Sequence, residues 1–412
     1  MTGPFVIVGA GQAGLQIAEA LRHEHYDGPI IMLGAEAHAP YNRPPLSKKW
    51  LLERPSPATL AMRGPETWQR RRIELHLQTT VSAIDRAART VHCADGRHFT
   101  YGGLALATGA KLRRLAVPGA DLDRVWGLRS IGDAQHIGAA LDHCTAQGAP
   151  LVVIGGGFIG LEVAATARKL GVQVTVLEGL SRLMSRVVAP IVSQAAADLH
   201  RGHGVRLVLD ARVEALLGAG SAVRAVRMAG GEEHQAGCVV VGVGVDPDDA
   251  LARAAGLECD RGIVVDACSR TSDPHIVAAG DCCARRQGGG TLLRLESVQN
   301  AIEQGKSAAA ALLGQERAFT AAPWFWSDQY DVKLQMAGLS HGYDQVVTRG
   351  EVARPAFSAY YYRGPRLIAV DSLNRIPDHM LARRLLDAGI SPTPAQAADA
   401  TCDLHSLLPT AH

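Results

Sequence analysis

Two glycine-rich hexads hold the most legible chemistry in the chain. Gly9-Ala10-Gly11-Gln12-Ala13-Gly14 and Gly155-Gly156-Gly157-Phe158-Ile159-Gly160 share the spacing G-x-G-x-x-G. That spacing suits a dinucleotide pyrophosphate. The first glycine permits a tight turn, the second lets phosphate approach the backbone, and the third lets a helix pack closely on a strand. The helix N-terminus then presents unsatisfied N–H groups and the positive end of its dipole to the phosphates. An acid at the end of the next strand should bind a ribose hydroxyl. Glu178 stands 18 positions after Gly160 and Glu36 stands 22 after Gly14. An acid there favours NAD over NADP, whose 2′-phosphate it would repel, although Arg182 lies nearby. Two dinucleotides in one chain point to a relay, one held tightly as flavin and one exchanging as nicotinamide. On these residues alone, either site can hold either nucleotide.

The elements around the hexads support this reading. The apolar run Phe5-Val6-Ile7-Val8 precedes the first, the helical pattern LQIAEALRHEH follows it, and Ile30-Ile31-Met32-Leu33 reads as a second strand. The same grammar returns with Leu151-Val152-Val153-Ile154, LEVAATARKL and a strand over 172–177, and Leu15 and Ala18 match Leu161 and Ala164. Gly9 and Gly155 are 146 positions apart, so this is a repeated supersecondary unit too widely spaced for a solenoid. Pro118-Gly119 and Gly148-Ala149-Pro150 mark loops at the entry to the second unit. CVVVGVGV ends it, and Ile276-Val277-Ala278-Ala279-Gly280-Asp281 is a further strand running into a glycine turn. From Pro323 the composition turns aromatic, and AFSAYYYRG and RLIAVDS read as antiparallel strands. The Pro/Ala-rich tail from Ile390 reads as loosely ordered or draped on the surface.

Composition sets the outer bounds. At about 150 residues per domain, 412 residues suggest two or three domains. With 42 Lys+Arg against 40 Asp+Glu the net charge is +2, which argues against a nucleic-acid binder. No run approaches the ~18 apolar residues of a membrane span. The opening MTGPFVIVGAGQAG lacks a basic n-region and reads as the start of a fold, so a cytoplasmic location is expected. The cysteines at 93, 144, 238, 259, 268, 282, 283 and 402 form no CxxC, which suits a reducing compartment. Cys144 reads as unpartnered, and Cys282-Cys283 as buried, inert thiols. His200 and His203 read as solvated histidines, and no metal site is expected.

Tyr41-Asn42-Arg43-Pro44-Pro45-Leu46-Ser47-Lys48, Ala107-Thr108-Gly109, GGGFIGLEVAA, TSDPHIVAAGD, RLESVQNAIEQ and PWFWSDQY together carry a family resemblance. With these motifs the chain resembles the oxygenase-coupled FAD-dependent ferredoxin reductases over nearly its whole length, least after about Pro377. The resemblance implies an α/β fold with two Rossmann-like dinucleotide-binding domains and a C-terminal α+β domain. A discontinuous FAD domain would comprise 1–113 and 243–322, an inserted NAD domain 114–242, and the C-terminal domain 323–412. It implies FAD on Gly9, Gly11, Ala13 and Gly14, with Arg43, Lys48, Val81, Ala107, Thr108, Gly109, Arg129, Asp281, Glu296 and Val298 completing the cradle. Ala35 occupies a position often acidic in the family, so the FAD ribose would be held by Glu36 or by backbone at Ala35. NAD would lie on Gly155, Gly157, Phe158, Ile159, Gly160 and Glu178, with Glu162 near the nicotinamide and Gly244 lining its far side. Gln299 replaces a proline of some relatives, so contacts at the pyrimidine edge of the flavin would differ.

Hydride would pass from NADH to FAD, and single electrons from FAD to a [2Fe–2S] ferredoxin serving a cytochrome P450 or a Rieske oxygenase. Lys48 would supply a cation near the flavin, Glu162 would hold it as an ion pair until NADH binds, and Trp326 would cover the flavin edge, with Trp324 below. Arg363, Arg366, Arg375, Arg383 and Arg384 give the C-terminal part a basic bias that suits an acidic ferredoxin. The expected state is a monomer or weak dimer, without nucleic-acid or membrane partners. Rival readings are a rubredoxin reductase, an NADH oxidase, or a redox-sensing flavoprotein acting through interactions. No cysteine stands in the window Arg43–Lys48, where a peroxidatic or disulfide-reducing relative would carry one.

Overall fold

The computed structural model describes residues 3–409. They divide into two compact units, each discontinuous in sequence. The first comprises residues up to Asn42, Ser56–Lys111 and Val245–Thr320; the second comprises Arg43–Pro55, Leu112–Gly244 and the residues from Ala321 onward.

The first unit is built on a five-stranded parallel sheet in the order Ile276–Ala278, Gly103–Leu106, Phe5–Val8, Ile30–Leu33, Ile73–His76. Phe5–Val8 is central and buried along its whole length, as expected of a parallel strand covered on both faces. Its alternation divides the core. Phe5 and Ile7 face helices Gln12–His23 and Val298–Leu312 through Ile17, Leu21, Ala308 and Leu312. Val6 and Val8 join Leu104, Leu106 and Val91 on the other face. The two helices approach closely because Gly305 lies against Gln16, whose Cβ would sit 2.8 Å from an added methyl.

The second unit repeats the plan with a parallel sheet in the order Arg206–Val208, Val174–Leu177, Leu151–Ile154, Cys238–Val241, Val125–Trp126. Helix Ile131–Gln147 starts at a capping box in which the Ser130 hydroxyl and the Asp133 carboxylate satisfy each other's backbone N–H groups. The C-terminal part of this unit is an antiparallel sheet in the order Trp324–Gln329, Val332–Gly338, Arg366–Leu373, Ala356–Arg363, Gln345–Glu351. The runs AFSAYYYRG and RLIAVDS are thus adjacent antiparallel strands, as their alternation predicts. Among the described residues no helix is long and apolar enough to cross a membrane.

The tail departs from expectation. Thr393 opens helix Pro394–Ala398 with a capping box to Gln396, and Ala397 and Leu404 are buried with Tyr360, Tyr362, Leu381 and Leu385. Tyr362 Oη donates to the Pro392 carbonyl at 2.9 Å, and the Arg349 guanidinium reaches the carbonyls of Asp399, Ala400 and Cys402. The segment is therefore packed and tied down by its cap, by Ala397 and Leu404 with Ile390, Leu407 and Leu408 beside them, and by the bonds from Tyr362 and Arg349.

Asp371 lies fully buried on strand Arg366–Leu373, with Tyr361 Oη donating to its carboxylate and the Ala189 N–H donating to Tyr361 Oη at 2.9 Å. Burial pushes the Asp371 carboxyl up to about 7, against a partial opposing effect of the tyrosine. A folded value above the unfolded one favours folding most below about pH 4, and that contribution fades as pH rises to about 7. Asp371→Asn should remove this slope. In urea titrations the wild type should lose on the order of 2 kcal/mol relative to the variant between pH 5 and pH 8. A constant difference across that range would refute the assignment.

Candidate functional site

The two glycine turns have the same stereochemistry, position by position. At Gly9, φ is +115° and a Cβ would lie 2.1 Å from the Ala107 carbonyl oxygen; at Gly155, φ is +108° and the Gly242 oxygen would be 2.4 Å away. A Cβ at Gly14 would meet the Gly9 oxygen at 2.0 Å, and one at Gly160 would meet the Gly155 oxygen at 2.3 Å. First and third glycines are thus required by the protein's own backbone. The second ones are not. Gly11 and Gly157 have ordinary negative φ (−104° and −84°), and nothing lies within 4 Å of a Cβ at either. Each is the N-cap of a helix with no side-chain cap, so uncapped N–H groups face a space that a side chain would fill. This is the cradle that a pyrophosphate against backbone demands, and the residues fit a dinucleotide in both places.

Other candidate residues gather where an open parallel sheet binds ligands, beyond the carboxyl ends of its strands. In the first unit Gly9, the Ala107-Thr108-Gly109 run and the Ala279-Gly280-Asp281 run directly follow three adjacent strands. They touch one another: Gly9 lies on Ala107, and a Cβ at Gly280 would be 3.1 Å from that of Ala13. Thr108 Oγ1 donates to the Asp248 carbonyl at 2.6 Å, and the Gly280 N–H donates to Gln304 Oε1 at 2.8 Å. Half-buried Glu36 accepts from Tyr41 Oη at 2.7 Å, whereas Ala35 is exposed. Val81 begins a strand packed on the core, Glu296 pairs with Arg294 at 2.7 Å, and Val298 opens a helix capped by Ser297.

In the second unit, Glu178 follows strand Val174–Leu177 and is pinned at the turn. Its carboxylate accepts from the Gly156 N–H at 2.6 Å and the Leu180 N–H at 2.8 Å. Arg182 is occupied with the carbonyls of Val188 and Ser185. Gly244 is exposed with φ +104° after strand Cys238–Val241, and Ile159 is 43% exposed at the helix start. Arg43 Nη1 donates to the Arg129 carbonyl at 2.7 Å.

The same unit contains a buried ion pair. Pro44 and Pro45 fix the start of a short 3-10 turn, Pro44–Ser47, which leads into helix Lys49–Glu53 and places Lys48 at the junction. Lys48 Nζ lies 2.9 Å from Glu162 Oε2 on helix Phe158–Lys169. The Glu162 side chain is 1% exposed and that of Lys48 18%. Ser47 Oγ also donates to Glu162 Oε2 at 2.5 Å, and Ser327 Oγ donates to Oε1 at 2.6 Å. Thr166, one turn further on, donates to the Ser47 carbonyl at 2.8 Å.

Strand Trp324–Gln329 lies along this helix with matching repeats. Two strand residues advance ~6.8 Å and four helix residues ~6 Å, so Phe325 meets Phe158 (ring centroids 4.8 Å apart) while Ser327 meets Glu162. The sequence motifs point to Lys48 and Glu162 but give no role to Ser47, Ser327 or Thr166. The available signal was the alternation Phe325, Ser327, Gln329, which puts polar groups on a buried strand face. Trp326 is half-buried with its ring centroid 5.6 Å from that of Trp324, on which the Arg383 guanidinium lies.

Three readings need correction. His200 is fully buried, not solvated: its Nε2 is 2.9 Å from Gln329 Oε1, and burial pushes it down to about 4, so the ring is neutral. Exposed His203 stacks on Tyr330 with centroids 3.6 Å apart. Cys144 is not unpartnered, since its Sγ lies 3.3 Å from Cys238 Sγ across a helix–strand contact. The basic cluster is also partly committed. Arg363 donates to the carbonyls of Gly342 and His341, and Arg375 pairs with Asp378. Cys282 and Cys283 are buried with sulfurs 3.8 Å apart. Among the described residues no group of three His, Cys, Asp or Glu side chains could hold a metal ion.

Two glycine-turned parallel sheets, each with an open dinucleotide cradle, define an α/β protein of the two-nucleotide redox class. The chain belongs to the pyridine nucleotide-disulphide oxidoreductase family, which matches residues 3–305, and residues 324–408 match the reductase C-terminal family. As a member it is an oxidoreductase that uses FAD and NAD(H). It is 44% identical to rhodocoxin reductase of Rhodococcus erythropolis over 97% of this chain and 93% of that one. The crystal structure of the ferredoxin reductase for the CYP199A2 system of Rhodopseudomonas palustris superposes with a TM-score of 0.95. Identity there is 42%, covering 99% of this chain and 100% of that one. Putidaredoxin reductase in its covalent complex with putidaredoxin gives a TM-score of 0.94 at 38% identity, covering 98% of each chain.

The glycine geometry makes a contrast that can be measured. In cofactor-stripped protein, Gly11→Ala should change stability by no more than about 1 kcal/mol, the cost of a weaker N-cap. Gly14→Ala should cost several kcal/mol or prevent folding, since its methyl would overlap a carbonyl. Retained nucleotide should nevertheless be lost in Gly11→Ala. Equal stability losses in urea titrations, or a normal nucleotide content in Gly11→Ala, would contradict the cradle.

Proposed function

We propose that this chain is a cytoplasmic NADH-dependent ferredoxin reductase, a monomer or weak dimer. It would deliver electrons to a [2Fe–2S] ferredoxin that serves a cytochrome P450 or a Rieske oxygenase. The observation that carries the reading is the pair of open cradles at Gly11 and Gly157, one with Glu178 pinned beside it. The family match and the ferredoxin-linked relatives support it. Residues 1–113 and 243–322 would form the FAD domain, 114–242 the NAD domain and 323–412 the C-terminal domain.

In this reading FAD lies on Gly9, Gly11, Ala13 and Gly14, with its ribose at Glu36, which Tyr41 steadies. Ala107, Thr108, Gly109 and Asp281 line the strand ends beside it, and Arg43, Lys48, Val81, Arg129, Glu296 and Val298 complete the site. NADH lies on Gly155, Gly157, Phe158, Ile159 and Gly160, with Glu178 at its ribose and Gly244 opposite. The bound flavin supplies hydride acceptance from NADH and release of electrons one at a time. The protein's part is orientation and electrostatics. Glu178 selects against a 2′-phosphate by repulsion. Lys48 places a positive charge where negative charge develops, Glu162 sets the direction of its side chain, and Trp326 screens the site from water. Arg366 and Arg384, with Arg383 lying on the Trp324 ring, give an acidic ferredoxin a basic face to meet.

Anaerobic stopped-flow spectroscopy tests the donor assignment. NADH should bleach the flavin at least about tenfold faster than NADPH, a difference of ~1.4 kcal/mol in barrier. Equal rates would remove Glu178 from donor selection. Lys48→Met should keep the flavin spectrum but slow its reduction about tenfold or more, and an unchanged rate would dismiss Lys48. For the acceptor, NADH-driven cytochrome c reduction should require an added [2Fe–2S] ferredoxin. Efficient reduction of rubredoxin or dioxygen in its place would favour a different enzyme.

A further inference from the structure

The buried carboxylate of Glu162 ends a hydrogen-bond chain that extends well beyond Lys48. Ser327 Oγ donates to Glu162 Oε1 at 2.6 Å, and Gln329 Nε2 donates to Ser327 Oγ at 3.2 Å. Gln329 Oε1 lies 2.9 Å from His200 Nε2, and Tyr330 Oη lies 3.5 Å from His200 Nδ1. A neutral imidazole carries one ring proton, and an amide oxygen can only accept. The His200 proton therefore sits on Nε2, and Nδ1 is left to accept from Tyr330. Every bond then runs one way, from Tyr330 through His200, Gln329 and Ser327 to the carboxylate. Bonds aligned in this sense polarise one another and present the strongest donor at the charged end. Ser327, Gln329 and His200 are all buried, so water does not compete for these groups.

A carboxylate buried with Lys48 as its sole partner would lock that lysine in place, because separating the pair would leave an uncompensated charge. Glu162 has two further donors, Ser47 and Ser327, one on each oxygen. Lys48 is the more exposed partner, and among the described residues its one second acceptor is the Pro44 carbonyl, 3.3 Å from Nζ. We infer that Ser327, backed by Gln329 and His200, is a positioning residue that keeps Glu162 satisfied when Lys48 withdraws, so that the ammonium is free to move toward a bound ligand. The inference rests on the proposed role of Lys48 at the flavin. It adds that the mobility of this lysine is set by a hydroxyl on the C-terminal antiparallel sheet.

Ser327→Ala and Ser327→Thr separate this role from simple packing. In the oxidised holoenzyme, reductive methylation followed by peptide mass spectrometry reads how often the Lys48 amine leaves its partner. Ser327→Ala should methylate at Lys48 at least threefold more slowly than wild type, while Ser327→Thr should match wild type. In stopped flow, the limiting rate of flavin reduction at saturating NADH should fall about fivefold in Ser327→Ala and recover in Ser327→Thr. NAD+ affinity should stay within twofold in both. Gln329→Met, which keeps volume and removes the relay, should move both readouts the same way by a smaller factor. Unchanged or faster Lys48 methylation in Ser327→Ala would overturn the inference, as would a loss that threonine fails to restore. A wild-type holoenzyme that NADH does not reduce would instead overturn the proposed function, while the methylation comparison would still decide the role of Ser327.

Discussion

The rest of the structure depends on a steric constraint that occurs twice: a helix lies so close to a strand end that only hydrogen fits at one position. At Gly14 and Gly160 an added methyl would sit 2.0 and 2.3 Å from the carbonyl oxygen of the turn's own first glycine. This contact fixes where the helix begins and therefore where its unpaired N–H groups point. The space over Gly11 and Gly157 exists because the third glycine brings the helix in and the first bends the chain out of the strand. The neighbouring strand ends follow from the same geometry. In a parallel sheet they lie side by side, so the segments after Leu106 and Ala278 meet the first turn, and Glu178 meets the second.

The other organising quantity is the charge on Glu162. A carboxylate at 1% side-chain exposure needs donors, and they come from two separate stretches of chain: Ser47 and Lys48 on one side, and Ser327 on the other. A buried pair of this kind contributes little net stability, since the cost of taking both charges out of water offsets their attraction. Its value is directional. The proline-initiated turn at Pro44–Ser47 has no long helix of its own to hold it, and the bonds from Ser47 and Lys48 to Glu162 and from Thr166 to the Ser47 carbonyl fix it to helix Phe158–Lys169.

What was legible in the sequence was whatever has a local signature. Glycine spacing, the apolar runs on either side of it and the acid after the second strand lie within about thirty residues of one another, so both turns and their flanking strands could be read directly, while strands such as Gly103–Leu106 and Ile73–His76 could not. The partners of Glu162 could not, because a serine at position 47 or 327 looks like any other serine until folding brings it to a carboxylate more than a hundred residues away. The burial of His200 is hidden in the sequence for the same reason. In LHRGHG it stands at a helix end, where histidines usually face water, and only strand Trp324–Gln329 makes its face interior. Cys144 and Cys238 are likewise joined by topology and not by motif. Composition alone understates the order of the tail. The Thr393-Pro394-Ala395-Gln396 cap was a readable signal that the abundance of Pro and Ala obscured.

Strand Trp324–Gln329 shows why the C-terminal sheet belongs to the site as well as to the scaffold. Phe325, Ser327 and Gln329 point to one face and Trp324 and Trp326 to the other, because successive strand residues alternate. The first face supplies packing for Phe158, a donor for Glu162 and a link to His200; the second carries the two indoles and the Arg383 guanidinium. A slip of one residue would exchange the faces, putting an indole against the buried carboxylate and a hydroxyl among the tryptophans. The antiparallel ladder to Val332–Gly338 forbids that slip, with Trp326 opposite Gln335 and Ser327 opposite Leu334. The register of one hairpin therefore sets both the donors that reach Glu162 and the aromatic surface behind them, and neither can be altered by sliding the strand without losing the other.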